Sequence, residues 1–285
     1  QDTLEAIFRE APVNIVTHCE DTPTIIENEK AIIAQYGEDI DATFHPRIRD
    51  AASCLKSSQL AYDLATKHGS NLHILHLTTA DEMKLFTEGE ITDKKITAEV
   101  CVHHLFFSEA DYETRGNFIK CNPSVKSEQD RLALIDAVQK NKIDIIATDH
   151  APHTLEEKQQ PYLQAPSGLP LNQHSLLVLL DFYNKGIFTL EQIVQKTSHN
   201  IAERFQIKDR GYIREGSFAD LAIVDLSANT LVTNENILYH CGWSPFMDYT
   251  FPAAVVHTII NGEIVFEDGV LKEQLPIGSR IEFNR

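Results

Sequence analysis

Four short apolar runs in this chain each end on a side chain that can bind a proton or a metal ion. They are "VNIVTHCED" ending near His18, "NLHILHLTT" near His76, "KKITAEVCVHHL" at His103 and His104, and "IDIIATDH" at Asp149. Each run has the length and β-branched content of a buried strand. Between and after them lie segments with helical apolar spacing. "TIIENEKAIIAQYG" stops at Gly37, and "AASCLKSSQLAYDLATKHG" carries Leu55, Leu60, Ala61 and Leu64 on one face with Gly69 as its cap. "ADEMKLFTEG" reads as a short helix and "SEQDRLALIDAVQKNK" as a helix opened by Ser127. "LNQHSLLVLLDFYNKG" and "TLEQIVQKTSHNIAERFQI" read as two more.

Alternation of this kind predicts an α/β architecture with a parallel sheet. Parallel strands bring their C-terminal ends to one rim, where a (β/α)8 TIM barrel builds its active site. A doubly wound open sheet also places ligands at strand ends, but no Gly-rich phosphate loop follows any strand here. From about Arg210 the pattern changes to short alternating segments, "RGYIREGSFADLAIVDL" and "HTIINGEIVFEDGVL", punctuated by glycine and charge. The division expected is 1–209 for the barrel part and 210–285 for a C-terminal β-segment with a terminal extension.

Composition narrows the function. The formal net charge is -17, and the "TDKKIT" stretch is too short to form a basic patch against it. Nucleic acid and anionic membranes are therefore excluded as expected partners. No apolar run is long enough to span a bilayer, and the N-terminal "QDTLEAIFREAPVNIV" has charges where a signal peptide needs its apolar stretch. The five cysteines, Cys19, Cys54, Cys101, Cys121 and Cys241, include no CxxC pair. Reduced thiols and a cytoplasmic location are expected.

Each candidate has a plain alternative. His18 is followed at once by Glu20 and Asp21, and a carboxylate beside a ligating imidazole fixes its tautomer; ligand and structural roles weigh evenly. His73 and His76 face opposite sides of one strand, so His76, nearer the strand end, is the ligand candidate and His73 is structural or exposed. His103 and His104 diverge in the same way, one toward the rim or both holding a loop. Asp149 suits metal binding and proton transfer, and an Asx-turn would explain it alone but not His150 and His153. Asn122, before a proline, is a turn residue or a donor and acceptor to a polar ring. Ser167 and Gly168 form a plain loop or a close backbone approach to a ligand.

Quoted together, "THCED", "LHILHLTT", "AEVCVHHLFFS", "CNPSVKSEQDR", "IDIIATDHAPHTLEEK" and "APSGLPLNQHSLL" resemble the dihydroorotases of the amidohydrolase superfamily. "RGYIREGSFADLAIVD" and "IINGEIVF" are similar to the superfamily's C-terminal β-segment. The resemblance covers essentially all 285 residues. It implies reversible cyclisation of N-carbamoyl-L-aspartate to L-dihydroorotate in pyrimidine synthesis, with one or two zinc ions at a barrel rim. By motif it makes His18, His76 and Asp149 metal ligands, and Asp149 also the group that moves a proton to and from the ring nitrogen. Asn122 and His153 would hold the substrate's carboxylate and ring, and the Ser167–Gly168 backbone the ring's polar edge. A homodimer is expected.

The chain departs from the family at one point. The family's His motif after its first barrel strand, with a substrate-binding Arg, has no counterpart, nor has the strand-four carboxylated Lys or Asp. The first readable strand matches strand five. The expectation is the C-terminal portion of an enzyme, strands five to eight, with the other half supplied by a further segment or chain. The rival readings are a related cyclic amidase (hydantoinase, allantoinase or dihydropyrimidinase) and a non-catalytic assembly subunit.

Overall fold

All four apolar runs become parallel strands in the computed structural model, which describes residues 2–272 and 278–284. They are β1 Ile15–Thr17, β2 Leu72–Ile74, β3 Ile96–Cys101 and β4 Ile145–Ala147, hydrogen-bonded in chain order. Register is set by Ile15 opposite Leu72, Leu72 opposite Ile96, and Glu99 opposite Ile145. Leu72, Ile74, Ala98 and Val100 are fully buried, as both faces of a covered parallel sheet require. Among the described residues β1 pairs only with β2 and β4 only with β3, and Val16 of β1 is exposed.

Local chemistry sets the helix ends. Helix Thr22–Tyr36 starts where Asp21 accepts from the Thr24 amide at 3.1 Å, with Pro23 in its first turn. Helix Ala51–His68 starts at Asp50, which accepts from the Ser53 amide at 2.8 Å, and ends at Gly69 in the left-handed region. Helix Glu128–Gln139 starts at Ser127, which accepts from the Asp130 amide. Asp50→Ala is expected to cost about 1 kcal/mol of stability, read from the midpoint of chemical denaturation.

The buried face of Ala51–His68 differs from the expected one. Ser53, Cys54, Ser58, Ala61, Leu64 and Ala65 point inward, and Leu60 is exposed. At Ser58 a hydroxyl takes the inner face because the buried Glu82 carboxylate needs a donor there. Ser58 Oγ donates to it at 2.5 Å and Thr79 Oγ1 at 2.8 Å. Burial pushes the Glu82 pKa up. With Glu82 turned inward, the expected helix over "ADEMKLFTEG" is only a 3-10 turn at Glu82–Lys84.

The chain divides into two compact units. The first, residues 1–172 and 239–245, holds the parallel sheet. The second, residues 173–238 and 246–285, holds an antiparallel sheet and, among its described residues, the α-helices Ser175–Asn184, Leu190–Val194 and Asn200–Phe205. A π-helical turn at Gln195–His199 interrupts the expected single helix over "TLEQIVQKTSHNIAERFQI". The sheet strands are β5 Leu221–Asp225, β8 Ala254–Ile260, β9 Glu263–Glu267 and β10 Val270–Leu271, in the order β10-β9-β8-β5. A separate pair joins β6 Thr230–Leu231 to β7 Thr250–Phe251. Residues 273–277 of the expected terminal extension lie outside the described residues. The five cysteines are free thiols. Among the described residues no helix is long and apolar enough to cross a membrane.

Candidate active site

Just past β1 and β2 the chain brings His18 and His76 together. His18 Nδ1 lies 3.0 Å from His76 Nε2, with the rings edge-on at 4.7 Å. On its far side His18 Nε2 meets the Glu20 carboxylate at 3.1 Å, and Arg49 clamps the same carboxylate. Burial raises the Glu20 pKa, but the hydrogen bond from His18 and the charges of Arg49 and Lys126 outweigh it, so the group is held below its ordinary value. Glu20 thus anchors the imidazole from behind, as carboxylates do for metal-ligating histidines.

Two of the site residues stand in an unusual backbone conformation. His76 has φ 36° and Asp149 φ 50°. Each stands two residues past the end of a short strand, β2 and β4. Burial lowers the His76 pKa, and the nearby His18 lowers it further; Asp149 and Glu99 act in the opposite sense. The neutral imidazole that results is the form that binds metal. His76 Nδ1 is buried and has no hydrogen-bond partner. Two imidazole nitrogens this close, with a carboxylate near enough to act on one of them, suit an ion bound at zinc–nitrogen distances of about 2.0–2.1 Å. The donor set fits a metal.

The neighbouring histidines do different work. His73 is fully buried, with Nδ1 2.9 Å from Thr97 Oγ1 and Nε2 3.1 Å from Glu99 Oε2, which makes it structural and not exposed. His103 and His104 do not diverge from a strand end. They sit in the helical turn Val102–Phe106 with ring centroids 4.0 Å apart, because the chain turns helical at Val102 and consecutive residues no longer alternate. His104 Nε2 donates to the Pro123 carbonyl at 3.0 Å, while its Nδ1 and both His103 nitrogens are buried without partners. Burial drives the His103 pKa down to about 3. Cys101, His103 and His104 bring ligand atoms within 4.8 Å of one another, a grouping to which sequence reading assigned no thiol.

A second cluster lies past β4. His153 Nε2 donates to the Ser167 carbonyl at 3.1 Å, and Trp243 Nε1 donates to the His153 carbonyl at 2.8 Å. Gly168 has φ 144°, and a Cβ there would stand 2.4 Å from the Ala151 carbonyl oxygen and 3.0 Å from His153 Cδ2. His150 turns away from the cluster. Its Nδ1 accepts from the Leu171 amide at 2.9 Å, so it fastens the loop beyond Gly168. Asn122 precedes a cis peptide bond to Pro123, and its Oδ1 is buried without a partner. The structure therefore joins His18 with His76, and His153 with Ser167 and Gly168. Glu20, one of the two carboxylates expected beside His18, is the one that meets it, whereas Trp243, distant in sequence, was not legible as a support of His153.

Comparison with known proteins agrees with this geometry. The model of the amidohydrolase family matches residues 1–265. The chain is 34% identical over 278 residues to the dihydroorotase of Pyrococcus horikoshii, covering 98% of this chain and 60% of that protein. It is 32% identical over 250 residues to the dihydroorotase of Pyrococcus furiosus, covering 88% and 58%. With a Staphylococcus aureus dihydroorotase it shares 31% over 268 residues, covering 92% and 61%. The chain thus spans about three fifths of the length of these relatives. Among solved structures, an L-hydantoinase from Arthrobacter aurescens superposes with a TM-score of 0.88 at 26% identity, covering 98% of this chain and 63% of that one. A dihydropyrimidinase from Brevibacillus agri superposes at 0.84 with 19% identity, covering 95% and 61%, and shares the fold. The four parallel strands are thus part of the TIM barrel of these enzymes, followed by a small antiparallel sheet, and on the match over residues 1–265 the chain belongs to the amidohydrolase family.

Proposed function

We propose that this chain is the C-terminal portion of a dihydroorotase, which interconverts N-carbamoyl-L-aspartate and L-dihydroorotate using one or two zinc ions. The observation that carries the reading is the 3.0 Å approach of His18 Nδ1 and His76 Nε2, with Asp149 acting on His76 from the end of β4. The dihydroorotase relatives at 31–34% identity support the choice of substrate. In this reading His18, His76 and Asp149 hold the metal. Bound zinc supplies a nucleophile at neutral pH and polarises the scissile carbonyl.

The remaining chemistry belongs to the chain. Asp149 takes the proton released as the amide is attacked and delivers it to the leaving ring nitrogen. Asn122, with its buried and unpartnered Oδ1, and His153, propped by Trp243, hold the substrate's carboxylate and ring. The backbone of Ser167 and Gly168 meets the ring's polar edge. Residues 1–209 serve as the barrel half and 210–285 as the β-segment. The enzyme works in the cytoplasm as a homodimer, and the strands before β1 come from a further segment or chain.

The deciding experiment offers the polypeptide that carries the whole barrel four substrates: L-dihydroorotate, hydantoin, dihydrouracil and allantoin. Turnover confined to L-dihydroorotate is expected. Preference for hydantoin or dihydrouracil would overturn the assignment in favour of the reading suggested by the L-hydantoinase likeness. A companion pair of variants tests the strand faces. His73→Gln is expected to keep the parent's zinc content, because His73 is bonded to Thr97 and Glu99. His76→Gln is expected to lose zinc, as read by metal analysis of the purified proteins.

A further inference from the structure

Two buried lysines bind the loop that carries Ser167 and Gly168, and neither has a role in the chemistry above. Lys158, the last residue of "PHTLEEK", is 1% exposed. Its Nζ donates to three main-chain carbonyls, those of Lys120 at 3.2 Å, Pro166 at 3.0 Å and Gly168 at 3.1 Å. Lys120 lies opposite and is also buried, with Nζ donating to the carbonyls of Tyr162 and Ala165, each at 2.6 Å. The two ammonium groups together satisfy four carbonyls of the segment 162–168. The Lys120 carbonyl closes the set by also accepting from the Gly168 amide at 2.9 Å.

Buried lysines are rare unless paired, and here every hydrogen-bond acceptor named for the two is a carbonyl. An ammonium has three N–H donors, and Lys158 meets three acceptors. Burial draws its pKa down to about 7; Cys121 acts in the opposite sense, and Lys120 adds a smaller lowering effect. The Lys120 pKa falls to about 8, again chiefly through burial. Aromatic faces add to both: the Trp243 ring lies 5.7 Å from Lys158 Nζ, and the Tyr162 ring 4.2 Å from Lys120 Nζ. Methionine at either position would leave buried carbonyls without donors.

We propose that Lys158 and Lys120 are positioning residues that hold the 162–168 loop in its substrate-binding shape. The inference rests on the reading of Ser167 and Gly168 as the contact to the ring's polar edge. Neither lysine touches the metal ligands, so their removal weakens substrate binding more than turnover.

The test uses Lys158→Met and Lys120→Met in the polypeptide that carries the whole barrel. Each variant is expected to raise KM for L-dihydroorotate about tenfold or more while kcat stays within about threefold. Zinc content is expected to match the parent, and amide hydrogen exchange to accelerate in 161–169 but not in β1–β4. A general loss of structure would instead lower kcat and zinc content and speed exchange everywhere. If Lys158→Met does not fold, Lys120→Met, 8% exposed, decides by the same readouts. Unchanged KM with unchanged exchange in 161–169 would overturn the proposal. If the parent itself does not turn over L-dihydroorotate, the functional reading falls, and the exchange measurement still decides whether the lysines hold the loop.

Discussion

Asp149→Asn, made in the polypeptide that carries the complete barrel, is expected to lose between about 10² and 10⁴ of its L-dihydroorotate turnover while folding as the parent does. Asparagine matches aspartate in size and is among the residues that accept positive φ most readily, so the backbone at φ 50° stays as it is. What disappears is an oxygen that can take up a proton and a negative charge beside His76. Measuring kcat alongside a thermal melt separates the two effects. A rate near the parent's would remove Asp149 from the proton transfer. A collapsed melt would show that the side chain holds the rim together.

Gly168→Ala is expected to destabilise the fold by about 3–5 kcal/mol, since a strained backbone and an overpacked contact add together. The φ of 144° is one that side-chain-bearing residues rarely adopt, and the new methyl would stand 2.4 Å from the Ala151 carbonyl oxygen. That oxygen belongs to main chain, and the Ala151 amide is itself bonded to the Leu169 carbonyl at 3.0 Å, so it cannot move aside cheaply. Denaturant titration reads the loss. A cost below about 1 kcal/mol would mean that the loop relaxes freely.

These residues show where sequence was legible. Strand ends were, because an apolar run that stops at His or Asp marks both the strand and its rim, and His18, His76 and Asp149 all follow strands as expected. The helix ends at Ser127, Gly37 and Gly69 were equally plain, since these residues act through their nearest neighbours. The inner face of Ala51–His68 was not, because Glu82, distant in sequence, takes a hydrogen bond from Ser58 there. Nor was the turn to helix at Val102, which brings His103 against His104. Lys158 stood in a quoted motif, yet nothing in its neighbourhood along the chain told of three carbonyls converging on it. Each of these misses depends on a partner that folding brings from elsewhere in the chain.

The positive φ of His76 and Asp149 also bears on how such a chain would change over evolutionary time. Residues with a Cβ in that region carry a conformational cost that glycine avoids and asparagine reduces. Under the proposed function, selection for the reaction keeps His and Asp in place against that cost. In a lineage that kept the fold but abandoned the chemistry, these two positions would drift first, toward glycine and asparagine, and the protein would grow more stable as it lost its activity.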